Sequence, residues 1–155
     1  MKIKLIKLKF NDTHSYKYEP FTYCCNKIQN DKAIVFTGED INDIGGEYED
    51  DGIYIPQFCT SYTQTVGSWE DEWEQTDNFP IKFCPHCGKK IEVSVVDEID
   101  VSDKYNELSK QRDELWKKCQ RTDSKKEEHE LRKQVRKLDD QINGFYELGE
   151  WKGEY

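Results

Sequence analysis

Apolar positions in the first ten residues alternate with lysine but change phase once: Ile3 and Leu5 fall on odd positions, Ile6, Leu8 and Phe10 on even ones. Period-two alternation predicts a strand, and the slip between Leu5 and Ile6 predicts a bulge in it. β-rich runs follow at residues 33–37, 53–55, 81–83 and 91–96, separated by turn formers at Gly45-Gly46, Asp51-Gly52 and Asn78-Phe79-Pro80. Together they predict a small, mostly antiparallel sheet.

From Val101 the texture changes, and neither Gly nor Pro occurs again before Gly144. Val101, Tyr105, Leu108, Arg112, Leu115, Cys119 and Thr122 recur at alternating steps of four and three, and Leu131, Val135, Leu138, Ile142 and Phe145 repeat the rhythm in another register. This is a heptad seam broken near residues 120–127, where Ser124 and Glu127 fit a capping box for a new helix. The pattern predicts two antiparallel helices over residues 102–120 and 125–146. A single long helix with a stutter, pairing with a second chain as a homodimer, satisfies the same spacing.

At 155 residues, with 35% apolar and 35% charged side chains, the chain has little material for one large core. A bound metal would supply part of the missing stability. Lysines interrupt the apolar N-terminal segment, and no run approaches the roughly twenty apolar residues of a membrane span. The expectation is a soluble, cytoplasmic chain with no membrane association, whose cysteines stay reduced and available to metal.

Charge is unevenly placed. Residues 1–100 carry 10 Lys, no Arg and 19 acidic residues, so the formal net charge of −9 sits there, whereas residues 101–155 carry 13 basic and 13 acidic residues. No basic residue occurs between Lys32 and Lys82. Such a surface repels nucleic acid and attracts proteins with a basic groove.

The sharpest chemical signal is Cys84-Pro85-His86-Cys87-Gly88. Two thiolates two residues apart grip one edge of a tetrahedral zinc site, and the following Gly lets the turn tighten. Cys24 and Cys25 are the candidate partners, giving Cys24, Cys25, Cys84 and Cys87 around one structural zinc ion. Adjacent side chains of a strand point to opposite faces, so both members of the upstream pair reach one ion only from a turn; Cys59 or His14 would substitute for an excluded one. The fold class expected is therefore α+β: a small zinc-stabilised antiparallel β domain over residues 1–100, then a C-terminal helical hairpin or coiled coil with a short tail over residues 101–155.

Tyr23-Cys24-Cys25-Asn26-Lys27, followed by Phe83-Cys84-Pro85-His86-Cys87-Gly88-Lys89-Lys90-Ile91, resembles a group of small zinc-ribbon-type proteins common in bacteriophages and prophages. The resemblance covers about residues 21–91. It implies that all four cysteines ligate metal and that the protein acts in the cytoplasm of a bacterial host. The acidic insertion at residues 39–77 and Cys59 depart from the group's pattern.

Nothing in the chain forms a catalytic set. Four thiolates leave no open coordination place, and no metalloprotease helix motif, phosphate loop or nucleophile elbow occurs. The zinc-deaminase pattern fails because Phe83 stands where its Pro belongs. Asp40-x-Asn42 with Gly45 begins like a calcium loop, but Ile44 occupies a ligand position. The expectation is a non-enzymatic protein. Acidic residues mixed with aromatic ones, Glu70, Asp71, Glu72, Trp73 and Glu74 among them, suit an interface in which rings anchor and carboxylates steer a basic partner. The first functional expectation is thus a phage-type inhibitor of a host nucleic-acid-handling protein, for example a defence nuclease such as a CRISPR effector. In the second, a hairpin tipped by Asp123, Glu127 and Glu128 enters RNA polymerase, as the arms of secondary-channel factors do. Direct nucleic-acid binding through Lys117, Lys118, Arg121, Lys125, Lys126, Arg132 and Arg136 ranks last, because interspersed acids neutralise that face.

Overall fold

A computed structural model describes residues 1–41, 53–68 and 71–153. Its organising element is β1 (Lys2–Phe10), which lies between two partners. β2 (Thr13–Tyr18) pairs with it antiparallel in one continuous register, and β6 (Glu92–Asp100) pairs with it parallel. The β6 register shifts between Leu5 and Ile6, so that Val95 faces Leu5 and Asp97 faces Ile6. The extra residue, Val96, is on β6. The bulge expected in β1 is therefore corrected: β1 alternates without a break, and its phase slip records a change of buried face. Ile3 and Leu5 enter one core, while Ile6, Leu8 and Phe10 enter another on the opposite side.

Most strand pairs are antiparallel, as expected, while β6 and the short β7 (Gly149–Glu150) join β1 and β2 as parallel neighbours in the order β6-β1-β2-β7. The reason is local. β1 and β6 both start at the Cys84–Gly88 turn, where the Met1 amine donates to the Lys90 carbonyl and the Glu92 N–H to the Met1 carbonyl, so both strands run away from it.

The Ile6 face is covered by α2 (Ser102–Arg121) and α3 (Lys125–Tyr146), which form the expected hairpin. Val101, Leu108, Ile142 and Phe145 pack with Ile6, Leu8 and Phe10, and Val135 and Cys119 are buried farther along the seam. The heptad therefore closes within one chain. Ser124 caps α3 by accepting the Glu127 N–H at 3.5 Å. β2 contributes polar groups to this core: the Ser15 hydroxyl donates to the Phe145 carbonyl, and Lys17 Nζ donates to the carbonyls of Gly144, at 2.6 Å, and Glu147. These are carbonyls of the last helical turn, which lack intrahelical donors and favour a cation. Burial lowers the Lys17 pKa from its ordinary value, and the nearby Glu147 charge opposes that fall.

The Leu5 face is built from shorter pieces. Ile3, Leu5, Tyr16, Ile28, Phe58, Cys84 and Ile91 are its buried residues, with Tyr18, Phe21 and Phe36 against them. Ile28 belongs to α1 (Asn26–Asn30), and Phe36 stacks on Phe58 at 5.0 Å. Phe36 lies in β3 (Ile34–Thr37) and Phe58 in β4 (Gln57–Ser68), which with β5 (Asp71–Pro80) make a second, antiparallel sheet in the order β3-β4-β5. The base of the β4–β5 pair buries Phe58, Cys59 and Asn78, and its outer part is mostly exposed on both faces. The pairs Gly45-Gly46 and Asp51-Gly52, and Asn42 and Gly45 of the calcium-like run, lie outside the described residues.

Candidate metal centre and acidic ribbon

Cys24 and Cys25 sit in a bend directly before α1, and Cys25 is its N-terminal flanking residue with extended backbone. A bend is what lets adjacent side chains converge. The other two cysteines come from the turn that leads to β6. There the Gly88 N–H donates to the Cys84 carbonyl and the Cys84 N–H to the Lys89 carbonyl, both at 2.9 Å, and Gly88 takes φ +71°. That left-handed conformation favours glycine, which is why Gly follows the second cysteine.

The four sulfurs meet. Cys25 Sγ is 3.7 Å from Cys84 Sγ, Cys24 Sγ is 3.5 Å from Cys87 Sγ, and all four lie within 4.8 Å of one another. Metal–sulfur bonds of about 2.3 Å in a tetrahedron place sulfurs roughly 3.8 Å apart. The cluster could thus hold one metal ion with its coordination closed. Burial pushes the Cys24 thiol up to about 12, and the Cys87 and Cys84 sulfurs add to the rise. Burial acts in the same direction on Cys84, but the N–H groups of Cys87 and His86 together with the Cys87 and Cys24 thiols outweigh it and hold that thiol at about 6. Crowded thiols of this kind ionise together when a cation balances them.

Neither alternative ligand takes part. His14 is buried in β2 against the Tyr16 ring, and Cys59 Sγ contacts the Gln57 carbonyl in β4. His86 turns away to Asp31, 2.9 Å from its Oδ2. The Ala33 N–H and His86 together hold the Asp31 carboxyl below its usual range. This pair ties the cysteine turn to the end of α1, and no pattern in the sequence signals it.

The second feature is the ribbon. β4 and β5 pair from Cys59–Pro80 out to Ser68–Asp71. Alternation along β5 places Asp71, Trp73, Gln75, Asp77 and Phe79 on one face, and Glu72, Glu74, Thr76 and Asn78 on the other. Across the pair, Val66 stands opposite Trp73 and Tyr62 opposite Asp77, on the first of these faces. Tyr62, Trp73 and Phe79 are 57%, 56% and 45% exposed. On the second face Thr63 and Thr76 hydroxyls meet at 2.9 Å. The sequence-predicted contact residues Asp71, Glu72, Trp73 and Glu74 are all exposed on this ribbon but divide between its faces. Glu70 lies outside the described residues.

The residues predicted at the hairpin turn are differently occupied. Asp123 is exposed. Glu127 Oε2 accepts from the Thr122 hydroxyl at 2.8 Å, and Glu128 pairs with Arg132 at 2.8 Å. Arg132 also lies over the Trp116 ring, 5.9 Å from its centroid.

Set against protein-family models, curated proteins and solved structures, the chain matches none. No helix among the described residues is long and apolar enough to cross a membrane.

Proposed function

We propose that this chain is a non-enzymatic zinc protein that inhibits a host nucleic-acid-handling protein by laying its acidic ribbon in that protein's basic groove. The observation that carries the reading is the ribbon itself. Residues 57–80 hold five acidic side chains and no basic one, and the outer part stands clear of both cores. A projection of that charge competes with a phosphate backbone for the same cations. The four-thiolate centre suits zinc, which is redox-inert and forms closed structural sites with cysteine. Its place beside Ile28 and Ile91 supports a structural role. The resemblance of the cysteine segments to phage and prophage proteins supports a bacterial target, a defence nuclease among them. The polymerase-arm reading takes second place, because Glu127 and Glu128 at the turn already serve contacts within the helices.

The test is capture from a nuclease-treated bacterial lysate by the tagged full chain, at low and moderate salt, beside a variant with Asp71, Glu72 and Glu74 changed to Lys. The expected result is one nuclease or polymerase, released as salt rises and missing from the variant. Equal capture by the variant would overturn the reading. Elemental analysis is expected to return one zinc per chain.

A further inference from the structure

We infer that the ribbon makes its contact through the Trp73 face alone, and that this face takes arginine side chains from an extended segment of a protein partner. The inference rests on the reading above that the ribbon is the contact element, and adds which side reads and what it reads.

The two faces carry similar charge and different chemistry. Glu72 and Glu74 share theirs with Thr63, Thr65 and Thr76, so that face offers carboxylates and hydroxyls but no ring. On the other side each carboxylate has a ring beside it. Asp71 is two residues from Trp73 along β5, and Asp77 lies between Phe79, two residues on, and Tyr62, directly across the strand pair. These rings are about half exposed on a two-stranded element that has nothing packed over its outer part among the described residues. Exposed rings grouped in this way mark contact surfaces.

A ring with a carboxylate at its edge fits guanidinium better than ammonium. The guanidinium plane stacks on the ring while its in-plane N–H groups pair with the carboxylate, whereas a lysine ammonium is a strongly hydrated point charge with no plane to stack. The two ring-and-carboxylate units are centred on Trp73 and Asp77, four residues apart. In an extended strand that is about 13 Å, the distance between side chains i and i+4 of an extended partner. The partner is therefore expected to present arginines at that spacing along β5. A phosphate-bearing partner is disfavoured by the same carboxylates.

The test uses the zinc-loaded full chain with nona-arginine and nona-lysine peptides, titrated calorimetrically at low salt. The arginine peptide is expected to bind about fivefold more tightly, the scale of one or two exposed cation–π contacts. Changing Tyr62 and Trp73 to Ala, which alters no charge, is expected to erase that preference. Changing Glu72 and Glu74 to Gln is expected to weaken both peptides alike and keep it. A Tyr62→Leu, Trp73→Leu variant preserves an apolar pair with Val66 and is expected to behave like the Ala variant, which separates loss of the π face from loosening of the ribbon; circular dichroism checks that each variant folds. Should wild type bind both peptides equally, or the ring variants keep the preference, the inference is overturned while the acidic-ribbon function stands. Should neither peptide bind and the charge reversals leave lysate capture intact, that function falls too.

Discussion

Leu5 and Ile6 are neighbours in β1, yet they enter cores made in different ways. On the Ile6 side two long helices, continuous in sequence, lay a regular apolar seam over the sheet, and Phe10 stacks on Tyr105 while Phe145 meets both rings edge-on. On the Leu5 side the cover is assembled from a five-residue helix, a bend, a four-residue strand and the base of a ribbon, with four thiols among them. The first kind of core holds itself through packed area. The second has less regular structure with which to do so, and the metal ion we propose for its four cysteines would cross-link residues about sixty positions apart and add what packing does not supply.

The strongest way to break this contrast is to remove the proposed metal. Chelation, or Cys84→Ser with Cys87→Ser, withdraws on the order of 10 kcal/mol of binding energy, comparable with the whole stability of a domain. Hydrogen exchange is expected to lose protection in β3, β4 and β5 while α2 and α3 keep theirs. Loss everywhere at once would mean that the metal holds both cores. Acidification should act the same way, because metal binding releases thiol protons and is weakened as pH falls.

The mirror-image perturbation is Phe145→Ala. This side chain is fully buried, and its removal is expected to cost about 3–5 kcal/mol. Thermal melting followed at 222 nm should drop while metal content stays at one ion per chain. A smaller effect is expected of Lys17→Met, which removes the ammonium that donates to the carbonyls of Gly144 and Glu147, at roughly 1–3 kcal/mol. It carries a pH signature. Burial lowers the folded-state pKa of Lys17 below its unfolded value, so between the two the unfolded chain binds more protons and stability rises with pH. Denaturant titrations across the alkaline range should show that rise in wild type and lack it in the variant. The smallest change is Ser124→Ala, worth about 1 kcal/mol at the start of α3.

What could be read in advance follows the same division. The helices were legible to within a residue at the end of α2, because Leu108, Val135, Ile142 and Phe145 repeat with helical spacing and Ser124 announces a start. The four cysteines were legible because ligand spacing is short-range chemistry. β2 was not, since its buried residues include Ser15 and Lys17, whose polar groups are met by helix carbonyls more than a hundred residues away. The β4–β5 ribbon escaped for the opposite reason. Its outer residues, such as Thr63, Gln64, Glu74 and Gln75, are polar on both faces, so no alternation reports a strand. The change of face in β1 looked like a bulge because one strand serving two cores gives the same pattern as one strand with an extra residue.

That strand also sets where the chain can change in length. Inserting or deleting one residue near the start of β1 turns over every side chain beyond it, sending Lys7 and Lys9 toward the helices in place of Leu8 and Phe10. Both cores would be struck by one event. The turn between α2 and α3 has no such consequence, since both helices end there with exposed residues. Divergent copies of this gene product should therefore differ freely in length at the hairpin turn and keep the nine-residue count of β1 unchanged.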